Sequence, residues 1–157
     1  MRLGILVKTL ARPKWTDTLD AVGARGLDCV QWNFACAGLE SMPERIEPGI
    51  LGGIARELER RRISVAAVSG TFNMIDPDRE KRREGLRRLE VIAASCGALG
   101  APLITLCTGT GDGQDMWRWH PYNESEQAWE EMLAEASAKE LAAATPELAA
   151  SARALAA

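Results

Sequence analysis

The chain has 157 residues, of which 46% are hydrophobic and 26% charged, and its formal net charge is −3. That composition gives one globular domain with room for a core, not a disordered segment. It argues against nucleic acid as a partner, which needs a basic surface, and no run approaches the ~18 consecutive apolar residues of a membrane span.

Lys8 interrupts the early apolar run, and no signal-peptide pattern is present. Cys29, Cys36, Cys96 and Cys107 form no C-x-x-C pair, so reduced, buried thiols in a cytoplasmic protein are expected.

Arg2 to Val7 (RLGILV) reads as a short strand. After a loop with Pro13, Trp15, Leu19 and Val22 recur at helical spacing and predict a helix from Trp15 to about Ala24, ended by Gly26. Leu27 to Phe34 is a second strand. Pro48 is placed to open the next helix at its first position, with Ile50, Ile54 and Leu58 along one side. Ile63 to Val68 is a third strand. Asp76-Pro77-Asp78 then reads as a helix start: a capping carboxylate, a proline, and an acid in the first turn. Leu86, Leu89, Ala93 and Cys96 form the apolar stripe of that helix, and Gly97 is the expected stop. Its first half, Arg79 to Arg88, holds six basic residues diluted by glutamates; a solvated helix face is favoured over a phosphate-attracting patch. Leu103 to Cys107 is the fourth strand. Asn123 with Glu126 reads as a capping pair for a fourth helix carrying Trp129, Met132 and Leu133.

Strand and helix alternate four times with no hairpin signal, which indicates an α/β fold with a parallel sheet and right-handed crossovers. The ligand site of such a sheet lies beyond the carboxyl ends of its strands, here the loops 8–14, 33–47, 69–77 and 108–123. From Ala134 to Ala157 half the residues are alanine, and all 14 glycines lie before that point. The chain therefore divides into a (β/α)4 unit, 1–133, and an Ala-rich helical tail, 134–157, in which Thr145-Pro146-Glu147 caps a short helix. So abrupt a change is what a reading-frame shift or an engineered cap would produce; a natural Ala-rich helix is the alternative.

The loop 108–123 carries most of the chemistry. His120, the only histidine, either hydrogen-bonds a substrate hydroxyl or phosphate or pins its own loop. Trp117 and Trp119 alternate, so that one can stack on a ligand ring while the other packs inward, or both anchor the loop. Thr108 to Gly113 (TGTGDG) is a flexible turn in preference to a phosphate cradle, since it lacks a following lysine and opens no helix. Asp112 and Asp115 make a weak metal site, because hard cations take six or more oxygens.

Two motifs, Val68 to Asp78 (VSGTFNMIDPD) and Thr105 to Asn123 (TLCTGTGDGQDMWRWHPYN), resemble the sugar phosphate isomerase/epimerase family of xylose isomerase-like TIM barrels, as do RLGILVK and CVQWNF. The resemblance covers about residues 1–133. It implies an eight-stranded barrel that binds a divalent metal and moves a proton between adjacent carbons of a sugar or polyol through an enediolate-like intermediate. The family's metal ligands and paired acid/base glutamates come from strands five to eight, and a whole barrel needs roughly 250 residues. The resemblance thus makes this chain the N-terminal half of a TIM barrel. It places Asn33, Ser69, Asn73, Thr108, Trp117, His120 and Asn123 along the substrate side, with no catalytic residue, no metal ligand and no cofactor of its own. The expected partner is a small sugar or sugar phosphate, and the chain alone is expected to be inactive. A non-catalytic scaffold or self-associating module, natural or engineered, is the alternative; so is a small-ligand binder without turnover. A half barrel leaves two open strand edges, which either a second copy closes as a homodimer or the tail covers.

Overall fold

The computed structural model describes residues 2–135; the tail expected beyond them, with its Thr145-Pro146-Glu147 cap, lies outside the described residues. Strands β1 (Gly4–Leu6), β2 (Cys29–Trp32), β3 (Ser64–Ser69) and β4 (Ile104–Thr105) alternate with helices α1 (Trp15–Gly23), α2 (Pro48–Arg60), α3 (Arg79–Leu99) and α4 (Glu126–Glu135). The four strands are parallel and lie in sequence order. Sequential order with right-handed crossovers puts the helices on one face. That face carries the core: Val30, Trp32, Val65 and Val68 of the sheet meet Leu19 and Val22 of α1, Ile54 and Leu58 of α2, and Leu89, Ile92 and Cys96 of α3. Trp32 stands edge-on to both Trp15 and Phe34, with centroids 6.2 and 6.3 Å away.

The opposite face of the sheet is made by the alternate residues. Leu6 is in register with Gln31, Gln31 with Ala67, and Ser69 with Thr105. The register slips between Val30 and Gln31, leaving Ala66 as the extra residue of a bulge on β3. Apart from Leu6 these side chains are small or polar. The Gln31 Nε2 reaches over Ala67 to donate to Thr105 Oγ1 at 2.7 Å, tying β2 to β4 across the strand between them.

Three helices end alike. After α1, α2 and α3 the chain turns through a left-handed residue, Gly26, Arg62 or Gly100, whose N–H and that of the next residue bond back to the last turn. This is the Schellman ending. In α2, Ile63 N donates to Leu58 O at 3.0 Å and both side chains are buried, completing the motif. Gly97 is not the stop: it lies inside α3, and its carbonyl accepts from Gly100 N. A helix ends where the left-handed residue sits, three positions beyond the glycine that the pattern favoured.

Several boundaries also shift. β1, β2 and β4 are shorter than their apolar runs, because Val7–Leu10 and Phe34–Ala37 wind into 3-10 turns and only two residues of β4 are paired. The cap of α3 is Asp78, which accepts from Glu80 N at 2.9 Å; Asp76 instead accepts from Asp78 N. The cap of α4 is Ser125, whose Oγ accepts from Ala128 N, because Asn123 is used elsewhere. Ile50 is exposed, and α4 turns Ala128 inward while Trp129 and Leu133 face out. Arg82 does not belong to a solvated face: it is 4% exposed and pairs with Glu131 of α4 at 2.8 Å. Arg88 ties α3 to the loop before α2 through Glu40, Glu44 and the Met42 carbonyl. Arg79, Lys81, Arg83 and Arg87 are exposed, as a solvated face requires, while Arg82 and Arg88 are spent on pairs with other elements.

Candidate functional site

Four loops leave the carboxyl ends of the strands, and the last two are bound together. Asn73, in the loop after β3, uses both ends of its amide on one residue of the loop after β4. Its Oδ1 accepts from Thr110 N and its Nδ2 donates to Thr110 O, each at 2.8 Å. Gly109 makes the approach possible. Its φ is +88°, and a Cβ there would overlap the Asn73 Oδ1.

The Gly-rich turn is closed on itself. Gly111 N donates to Asn123 Oδ1, Asp112 N to Thr110 Oγ1, and the amides of Gln114 and Asp115 to Asp112 Oδ1. These N–H groups are therefore not held out to an anion, and the run is a turn and not a cradle. The amides of Gln114 and Asp115, then Arg118, hold the Asp112 carboxyl below its ordinary range. Asp115 accepts from Trp117 N at 3.0 Å. Both carboxylates thus serve the loop. Among the described residues no group of three or more His, Cys, Asp or Glu is placed to hold a metal.

The loop has a cleft on each side. One, of about 370 Å³, gathers Thr108, Asn123, Met116 and the two tryptophans, with Arg118 at its border. It holds no carboxylate or histidine. Trp117 is 74% exposed, and Trp119 is exposed as well, so neither packs inward; the Trp119 Nε1 donates to Glu124 at 3.1 Å. The other cleft, of about 350 Å³, lies against α3 and is lined by Arg79, Arg82, Tyr122, Glu131 and His120. There the His120 Nδ1 accepts from Tyr122 N at 3.2 Å and caps the 3-10 turn Pro121–Glu124. Arg82, Gln127 and Tyr122 converge on Glu131 and lower its pKa, Arg82 most.

The seven residues assigned to the substrate side are therefore divided. Thr108, Trp117 and Asn123 share the first cleft, and His120 lines the second. Asn73 is buried and binds the loops together. Asn33 is buried at the end of β2, where its Oδ1 accepts from Ala35 N and from Ser41 Oγ. Ser69 is buried at the end of β3, 3.3 Å from Thr71 Oγ1. Sequence reading missed the Gln31–Thr105 bridge. Its signal was there: a glutamine among apolar residues in CVQW marks the face opposite the core.

No protein-family profile matches the chain, and neither does any curated protein sequence. Solved structures do match. Over 96% of its length the chain is similar to protein SMc04130 from Sinorhizobium meliloti 1021, with a TM-score of 0.62 and 15% identity, and it covers 47% of that protein. Over 91% it is similar to the apo form of YcjR, a 3-keto-D-glucoside 4-epimerase from E. coli, with a TM-score of 0.58 and 15% identity, covering 52%. At such identity the likeness is one of fold. The chain spans about half the length of the solved proteins it matches. Its architecture is that of a half barrel.

Sequential parallel strands, helices on one face and loops gathered at the carboxyl ends are the (β/α)4 part of a TIM barrel. In that geometry the row Gln31, Ala67, Ser69 and Thr105 faces the barrel axis, below the loops that carry the clefts.

Proposed function

We propose that this chain is the substrate-side half of a sugar or sugar phosphate isomerase/epimerase-type barrel, and that by itself it binds such a ligand without turning it over. One observation carries the reading: the Thr108 cleft sets a hydroxyl and an amide beside an exposed indole, at the carboxyl end of a barrel strand. Polar groups that fix sugar hydroxyls, next to an aromatic face for the C–H side of the ring, are what a carbohydrate pocket requires. The likeness to a sugar epimerase over 91% of the chain supports it.

The same cleft supports binding over turnover. Moving a proton between sugar carbons needs a base within hydrogen-bond reach of the carbon acid; the lining offers no carboxylate or histidine, and burial pushes its one thiol, Cys107, up and away from the thiolate. Nor do the donors present fit a divalent metal, since Asp112, Asp115 and His120 are each engaged in their own loop. No chemical step is therefore assigned to the described residues; the metal and the acid/base pair would come from a second half. No helix among the described residues is long and apolar enough to cross a membrane. All four cysteines are free, which supports a reducing compartment such as the cytoplasm.

The test is a panel of aldoses, ketoses and their phosphates, read by tryptophan fluorescence and by calorimetry. Saturable binding is expected, weakened about tenfold (~1.4 kcal/mol) by Trp117→Ala with no change in thermal stability. No saturable binding by any member would overturn the proposal, and so would binding that Trp117→Ala leaves intact.

A further inference from the structure

The exposed large apolar side chains are not spread evenly. Leu3 and Leu6 lie on or beside β1; Leu103 and Leu106 flank β4; Trp129 and Leu133 lie on the helix after β4. The middle strands β2 and β3 expose none. Six of the nine such residues therefore sit on the first and last units of the sheet, whose outer edges have no partner strand among the described residues. Bare parallel edges with apolar flanks are costly in water and are normally covered.

We propose that the occupant of both edges is a second copy of this chain. A parallel edge that keeps its helices on one side and its loops at one end accepts only a strand of the same polarity with the same handedness of connection. β1 of a second copy meets that condition at β4. A two-fold axis along the centre then repeats the junction, giving eight parallel strands and no remaining edge. The count agrees with the solved proteins matched, of which one copy covers 47% and 52%. Within these 157 residues the alternative occupant, the segment 136–157, is ill suited: it is rich in alanine and has one β-branched residue, Thr145, followed by Pro146. Closure also places Gln31 and Thr105, now on an open face, inside a lumen; a second copy repeats the same residues and adds no acid/base pair. The inference rests on the fold and not on the sugar reading, so the two fail separately.

Sedimentation velocity of the full chain from about 1 μM to about 1 mM is expected to show a concentration-dependent dimer and nothing larger. Hydrogen exchange is expected to slow with concentration at residues 3–6 and 103–106. Leu6→Lys and Leu103→Lys are each expected to weaken the dimer about tenfold or more with the far-UV spectrum unchanged. Ile50→Lys, at an exposed leucine-sized position on α2 away from both edges, is expected to leave it intact. A monomer throughout, open-ended assembly, protection confined to the 116–119 loop, or equal weakening by Ile50→Lys would each overturn the proposal. The exchange measurement uses the unaltered chain and decides the matter even where a lysine variant does not fold.

Discussion

Removing the Asn73 side chain tests the account of the loops most directly. Asn73→Ala deletes the two hydrogen bonds to Thr110 and a longer one to Asp76 Oδ2, and leaves Thr110 with an unmatched N–H and C=O. Thr110 is 1% exposed, so neither group regains water without movement. An unsatisfied buried polar group costs about 1–3 kcal/mol. Gly109 and Gly111 beside it are only half-buried, so water can reach the break after a small opening. The expected loss is therefore near the low end for the two groups together, about 2–3 kcal/mol. At roughly 3–4 °C per kcal/mol for a chain of this size, that is a fall in Tm of roughly 6–12 °C. Urea unfolding gives the energy, and amide exchange at Thr110 and Gly111 locates it. A second substitution makes the test sharper. Gly109→Ala places a Cβ against the Asn73 Oδ1 and also puts alanine at φ +88°. In an Asn73→Ala background the overlap with the amide is gone, while the backbone cost of about 1–2 kcal/mol and the 2.8 Å approach to the Cα of residue 73 remain, so the double variant should be more stable than the sum of the singles predicts. Loss below about 0.5 kcal/mol for Asn73→Ala, or strict additivity with Gly109→Ala, would refute the clamp.

Two glycines of α3 should respond in opposite directions: Gly97→Ala meets nothing within 4 Å and should gain about 0.5–1 kcal/mol of helix propensity, whereas Gly85→Ala drives a methyl into the Phe72 ring and should lose about 1–3 kcal/mol, both by urea titration. Arg62→Gly should stabilise the protein by up to about 1 kcal/mol, because Arg62 (φ 57°) alone among the described residues puts a non-glycine side chain at a helix-ending left-handed position; an unchanged or lower Tm would remove that reasoning. Glu131, whose pKa is depressed chiefly by the Arg82 hydrogen bond, contributes stability above the ordinary carboxylate value of about 4.3, and the contribution is lost as pH falls through the depressed value. Trp129 fluorescence should therefore report loosening of α4 in acid, and Glu131→Gln should loosen α4 already at neutral pH and flatten the acid response; an identical profile in the two proteins would refute it.

The alternation of strands and helices was legible because each element carries its own period: Leu19 and Val22, Ile54 and Leu58, or Leu89 and Cys96 announce a buried stripe whatever surrounds them. Pro48 at the head of α2 is equally local. The errors fall where a residue has two partners to choose from. Asn123 has a good capping sequence ahead of it, yet its amide goes to Gly111 N, and Ser125 takes the cap. Gly97 is a plausible stop until the chain shows Gly100 three residues later in the left-handed conformation. Arg82 reads as one of six solvated cations, but the return of α4 brings Glu131 within 2.8 Å. The choices made by Asn123 and Arg82 depend on contacts 12 and 49 residues away in sequence, which no local pattern contains.

The same distinction bears on function. Among the described residues the hydrogen bonds that shape the loop 108–123 come from the loop itself and from Asn73: Asn73 holds Thr110, Asn123 holds Gly111, Asp112 holds the amides of Gln114 and Asp115, and His120 holds Tyr122 N. A loop built this way does not need the opposite wall to take its shape, so Thr108 and Trp117 stand in place before a ligand or a second half arrives. Pre-set contacts spare a ligand the entropy of ordering the loop. The face below is different. Gln31 and Thr105 satisfy one another across an open sheet, and a sugar hydroxyl would have to exchange with that bond instead of meeting a free donor. Of the two, the upper loop should therefore contribute affinity without closure, while Gln31 should matter only once the barrel is shut. Gln31→Leu is accordingly expected to leave sugar binding by the monomer unchanged and to weaken it in the closed dimer; an equal effect in both would show that the inner face works without a partner.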